Sequence, residues 1–334
     1  MRGLAAISLL AVLSAGCGSQ SGLHVENGGH TVVVVPAGSS GGGGHSTTPA
    51  LPRQVTARIR LGGVPAIAWD GTGTMWAAVW AGGPHLLGSL IAVDTATGTA
   101  APPTVLPASH TPYLIAATAS SVYVAGGGAV MRIDPSTGRV TERRDLGARL
   151  RALLAAQGRL WVTADGGRLV QLDPGTLGLV ATRHVTGHPD AITTDAGSVL
   201  VTDDRDRTLT RMNIATGKET GSTSIGANGA GRPSQITVYA GSIWVYEGTT
   251  VLRVATGALQ LLDRITVPGG GGSIAAGTGG VWVSGNFGVA RIDPATGALD
   301  TPVAVGQAGA AIATTGDAVW VVQRPTGTLL RLVP

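Results

Sequence analysis

The chain has 334 residues, 43% of them hydrophobic and only 13% charged, about half the usual charged share of ~25%. Gly fills 53 positions, a richness that argues against long helices and for many tight turns and excludes a coiled coil or a wholly disordered chain. The net charge of +4 comes from 22 Arg and the single Lys218 set against 19 acids. These bases are scattered rather than in runs, so no nucleic-acid stripe forms.

Residues 1–16 read as an address. Arg2 supplies a positive charge, Leu4 to Leu13 an apolar run too short to span a bilayer, and Ser14-Ala15-Gly16 a small-residue cleavage site. Cys17 follows and is the only cysteine, so an internal disulfide is impossible. Leu13-Ser14-Ala15-Gly16-Cys17 resembles the bacterial lipobox, in a looser form with Ser14 at the third position before Cys17. The resemblance implies a lipidated Cys17, a membrane anchor held by more than one acyl chain and a location outside the cytoplasm.

Residues 17–53 read as a tether of Gly, Ser, Thr, Pro and His, a composition that behaves as flexible coil. A coil of that length spans about 30–35 Å on average. His24, His30 and His45 are read as solvated spacer. The island Thr31-Val32-Val33-Val34-Val35 is β-prone and is open to two readings, an edge strand or a partner-binding segment.

From residue 54 the chain repeats. An apolar–large–small triplet recurs at Met75-Trp76-Ala77, Val122-Tyr123-Val124, Leu160-Trp161-Val162, Val199-Leu200-Val201, Ile243-Trp244-Val245, Val281-Trp282-Val283 and Val319-Trp320-Val321. A second motif follows each of the first six. It is fullest as Arg132-Ile133-Asp134-Pro135-Ser136-Thr137-Gly138 and Arg291-Ile292-Asp293-Pro294-Ala295-Thr296-Gly297. This is turn chemistry: Asp caps through its side chain, Pro pre-sets φ, and Gly accepts a positive φ. One lone Asp per turn supplies too few oxygens for calcium. No helical pattern intervenes, so each repeat is four short antiparallel strands.

Four strands repeating at about 40 residues predict an all-β fold, a seven-bladed β-propeller over residues 54–334. The seventh repeat ends at Leu332-Val333-Pro334 without an outermost strand. Val55 to Gly62 supplies a strand at the other end, so the N-terminal strand is expected to complete the last blade and close the ring. The large residues of the triplets are expected to pack blade against blade. These motifs resemble the YVTN/YncE-like bacterial β-propellers over about residues 54–334, a resemblance that implies the propeller fold but no one activity.

Function is expected where the repeats differ. In a propeller, the loops leading into each first strand and those joining second to third strands share one face. That mapping places His85, His110, Arg149, Asp165, His188, Asp203, Asp204, Arg205, Arg207, Arg232, Glu247, Asn286, Phe287 and Arg324 on a candidate binding rim. The face is read as docking a protein or small-molecule ligand, with no metal and no cofactor expected. The alternative is a propeller hydrolase or lyase. Virginiamycin-B-lyase-like propellers place a His/Glu pair late in the chain, yet here the last His is His188 and the last Glu is Glu247. A lactonase-like site needs clustered acids and His, and the chain has four Glu. No nucleophile elbow or P-loop is present.

Overall fold

The computed structural model describes residues 23–27, 30–34, 54–63, 66–80, 88–107, 113–226, 231–270, 272–277, 279–306, 308–324 and 326–334. Seven antiparallel sheets form a ring, and among the described residues every regular element is a strand. The first strands of successive blades are Ala66–Trp69, Leu114–Thr118, Leu150–Ala156, Pro189–Asp195, Gln235–Tyr239, Ser273–Gly277 and Ala308–Thr314. Each touches the next around the axis, and the seventh touches the first. Within a blade the strands run outward in chain order, as in blade three with Leu150–Ala156, Arg159–Ala164, Arg168–Leu172 and Leu179–His184.

The repeated triplet follows from period-two geometry. Successive side chains on a strand point to opposite faces, and a second strand lies between two neighbouring blades. It is therefore buried on both faces and mostly apolar, as in Ser121–Gly126 and Gly280–Gly285. The central large residue faces the following blade, and its flanking residues face the preceding one. Trp161 packs on Val199 and Val201, Trp244 on Val281 and Val283, and Trp282 on Val319 and Val321. Tyr123 meets Leu160 and Val162, Leu200 meets Ile243 and Val245, and Trp76 meets Val122 and Val124. Each buried ring takes roughly 150–250 Å² from water, worth about 4–6 kcal/mol before entropy.

The turn motif also acts between blades. Oδ1 of Asp94 accepts the N–H groups of Ala96 (3.0 Å) and Thr97 (2.7 Å). Asp134, Asp173 and Asp293 cap their turns the same way. Hydrogen bonds to Thr97 and Thr296 hold the Asp94 and Asp293 carboxyls below their usual value. The fifth turn position takes a positive φ, filled by Gly in most repeats and by Leu177 and Leu259 in blades three and five, both at φ 53°. Both leucines are buried, so packing offsets a strain of about 1–2 kcal/mol. Tyr123 donates its hydroxyl to the carbonyl of Pro174 at 2.9 Å, and Arg253 reaches the carbonyl of Ala295 at 3.3 Å, each stapling a blade to the next blade's turn.

Gln54–Arg60 pairs with Thr328–Val333 as the outer strand of blade seven, from Thr328↔Arg60 to Val333↔Gln54. Ile59 is buried beside Met75, Trp320 and Leu329, so the seam is packed as well as hydrogen-bonded. Blade six departs from the pattern. The fourth strand expected at 300–305 is reduced to isolated bridges, Val289↔Val303 and Ile292↔Leu299, because Pro302 has no N–H to add to a ladder. Within the segment read as tether, Leu23–Asn27 and His30–Val34 form a hairpin, with Val34 opposite Ile59 at the outer edge of blade seven. Residues 1–16 and Cys17 lie outside the described residues.

Candidate functional site

The strand register sets one face of the ring. Leu150 pairs with Ala164, Pro189 with Asp203, and Ser273 with Ser284. The loops before first strands and after second strands therefore meet at the same end. Asp165 N–H bonds the Arg149 carbonyl at 2.9 Å, and Asp204 N–H bonds the His188 carbonyl at 3.3 Å.

Here the structure joins Asp165, His188, Asp204 and Arg232 through two residues that the sequence reading passed over, Arg151 and Asp190, with Arg149 beside them. Arg151 Nε donates to Asp165 Oδ1 at 2.8 Å, and its Nη1 lies 3.6 Å from Asp190 Oδ1. Its Nη2 bonds His188 Nε2. His188 Nδ1 meets Asp204 Oδ1 at 2.5 Å, and Arg232 Nη1 lies 3.6 Å from Asp204 Oδ2. His188 Nε2 also lies 3.4 Å from Asp165 Oδ1, so each ring nitrogen has a carboxylate beside it. Burial, helped by the charge of Asp204, lifts the Asp190 carboxyl to about 6 against the pull of Arg151 and His188. Asp165 goes the other way, held low by the Arg151 hydrogen bond.

The remaining rim residues divide. Asp203 is buried, and its carboxylate accepts N–H groups from His188, Arg205 and Asp206, so it scaffolds the loop. Glu247 is fully buried with Arg264 Nη1 at 4.0 Å. Its carboxyl is raised by burial, partly offset by Arg264 and Arg207. It thus faces the seam between blades four and five rather than solvent. Arg205, Asn286 and Arg324 are exposed, Phe287 is half-buried in the blade-six cluster, and Arg207 is half-buried. His85 and His110 lie outside the described residues.

Beside the network, a cleft of about 510 Å³ opens between blades two and three. Tyr113, Gly128, Asp145, Gly147 and Arg149 line it. The Tyr113 hydroxyl is tied to the Leu150 carbonyl at 3.1 Å, which fixes its ring. Arg149 thus borders both cleft and network. Among the described residues no group of three or more His, Cys, Asp and Glu could hold a metal ion.

A signal for the two missed residues was present. Leu150-Arg151-Ala152-Leu153 and Pro189-Asp190-Ala191-Ile192 align as the first strands of adjacent blades. Opposite charges at one register of an otherwise small and apolar strand mark a cross-blade pair.

Comparison with known proteins agrees with the fold. The β-propeller domain of Cps50 (Swd1) from Myceliophteria thermophila superposes with a TM-score of 0.70 at 13% identity, over 85% of this chain and 100% of that one. BamB from Moraxella catarrhalis gives 0.59 at 15% identity, over 83% of this chain and 86% of that one. No curated protein matches the sequence. A family model described as outer membrane protein assembly factor BamB matches residues 86–264 and, overlapping, 126–331. That match spans well over half of the chain, which therefore belongs to the outer membrane protein assembly factor BamB family.

Proposed function

We propose that the protein is a membrane-tethered interaction module that works outside the cytoplasm and docks a protein partner on the rim of blades two to five. Lipid on Cys17 is the anchor in this reading, and the propeller is of the YVTN/YncE-like kind that its motifs resemble. The observation that carries the docking face is the network of Arg151, Asp165, His188, Asp190, Asp204 and Arg232, set at one mouth of the ring beside the Arg149 cleft. It is charged, fixed in geometry and confined to three blades of a repeating scaffold. The family name, an assembly factor at an outer membrane, fits a module that acts by holding other proteins.

The hydrolase or lyase reading has less support. His188 and Asp204 form an acid–base pair in outline, but Nε2, the nitrogen that would meet a substrate, faces Arg151 Nη2. A photo-crosslinking residue at Arg205, Arg232 or Arg324 tests the docking face in cells. Crosslinked partners are expected from these positions and not from Ser136 or Thr296 on the opposite face. Equal capture from both faces would remove the rim.

A further inference from the structure

The outer edges of the blades carry a second asymmetry, independent of the rim. In blades two, four and seven the third strand and the outer strand share one device. The outer strand bulges by one residue, and the bulged residue is Thr141, Thr220 or Thr56. Its hydroxyl donates to the carbonyl of the third-strand Arg, at 3.3 Å for Arg132, 3.3 Å for Arg211 and 3.4 Å for Arg331. The same Arg returns a guanidinium hydrogen bond to that hydroxyl. The bulge is thus sealed by a polar pair.

Blade three keeps the bulge and loses both partners. Gln171 stands in place of Arg, and Val180 in place of Thr. Leu179 and Val180 are 50% and 48% exposed, adjacent on the unpaired edge of Leu179–His184. Exposed apolar edges invite strand pairing, and proteins normally blunt them. Two other edges expose one large apolar residue each, Val105 of blade one at 61% and Leu262 at the bulge of blade five at 50%; blade three exposes two in a row. Blade two presents Glu142, Arg143 and Arg144, and blade four the polar run Glu219–Ser224. Blade five keeps Arg253 opposite its bulge and follows Leu262 with Asp263 and Arg264, blade one has only the two-residue strand Thr104–Val105, blade six has Pro302, and His30–Val34 lies along blade seven.

A cleft of about 340 Å³ adjoins the blade-three edge, and its lining includes Arg159, Gln171, Val180, Arg183 and Ile214 but no carboxylate. The Arg183 guanidinium lies over Gly217, where a Cβ would collide with it, and its buried Nε has no hydrogen-bond partner.

We infer that the outer edge of blade three is a docking strand for an extended segment of a partner protein that carries acidic and apolar residues. The partner's backbone adds a fifth strand beside Leu179–His184. Its apolar side chains cover Leu179 and Val180, and its carboxylates meet Arg159 and Arg183. Main-chain pairing gives affinity in such a mode, and the flanking charges choose the sequence.

The test uses the full chain and a fluorescein-labelled nonapeptide of alternating valine and glutamate, read by anisotropy. Binding is expected, and it should weaken about tenfold or more, at least 1.4 kcal/mol, with Val180→Thr combined with Leu179→Lys. The single variant Val180→Thr installs the residue that the other blades use, so it tests the edge without endangering the fold. It should also weaken binding. A lysine-for-glutamate peptide, and one N-methylated on alternate amides, should fail to bind. No binding of the glutamate peptide by the folded chain, or equal binding by the variants or the control peptides, would overturn the proposal. So would a dimer of the chain that Leu179→Lys dissolves, since a second copy would then be what covers the edge. None of these outcomes bears on the rim, whose residues lie on other strands and loops.

Discussion

Arg151 and Asp190 occupy the same register of adjacent first strands and meet across the mouth of the ring at 3.6 Å. Their side chains are 18% and 22% exposed. The pair therefore sits where solvent screens it only in part, and Arg151 also ties Asp165 and His188 to the same point. One guanidinium organises three side chains from two blades.

Removing that guanidinium strands the acids around it. Arg151→Met is expected to cost about 1–3 kcal/mol, because Asp190 and Asp165 lose their donor in a partly dry place. Adding Asp190→Asn should restore much of the loss. Urea unfolding of the two single variants and the double variant measures the coupling. The gain from Asp190→Asn should be larger in the Arg151→Met background than in the native chain, and an equal gain in both would show that the residues act separately.

Asp190 itself makes stability depend on pH. Its carboxyl sits at about 6 in the folded protein, above the ordinary aspartate value near 3.9. The folded state then holds this proton more tightly than the unfolded state. The group's contribution falls as pH rises from about 4 to about 6 and is level above that. At about 1.4 kcal/mol per pH unit, the deficit at neutral pH is on the order of 2–3 kcal/mol. Asp190→Asn should raise the melting temperature at pH 7.5, and the gain should shrink toward zero as pH drops to 4. A gain that ignores pH would contradict the burial of this carboxylate.

Ring closure rests on Gln54–Arg60. Ile59→Ala, at a fully buried position beside Trp320 and Leu329, is expected to cost about 2–4 kcal/mol. Deleting residues 54–60 should do more, broadening the thermal transition or splitting it, because blade seven loses its outer strand. Calorimetry reads both. A deletion variant that melts as sharply as the full chain would mean that the seam is dispensable.

The proposed anchor has its own test. Cys17→Ser should move the protein from the membrane fraction to the soluble fraction, since no acyl chain would then be attached. A variant that stays with the membrane would place the attachment elsewhere.

The sequence by itself determined the ring. The triplet around Trp161, Trp244, Trp282 and Trp320 and the Asp-capped turns are local and repeated, so each copy reports the same strand, face and turn. Seven copies also fixed the blade number and the need for residues near 55 to complete the last blade. What is periodic in a chain is legible because every repeat meets the same two neighbours. Even blade six could be anticipated in part, since Pro302 stands inside the strand that failed to form.

Only the tertiary structure decided which rim residues act together. Glu247 and Asp203 read as exposed loop charges, yet one is buried in a seam and the other caps its own loop. Arg151 and Asp190 lie 39 positions apart, and although aligning the repeats puts their opposite charges at one register, neither strand by itself announces the other. Their pairing depends on how far adjacent blades rotate about the axis. So do the placement of His188 between Arg151 and Asp204 and the drying that lifts Asp190. Side-chain electrostatics is set by distance and solvent in three dimensions, and the ring had to close before either was defined.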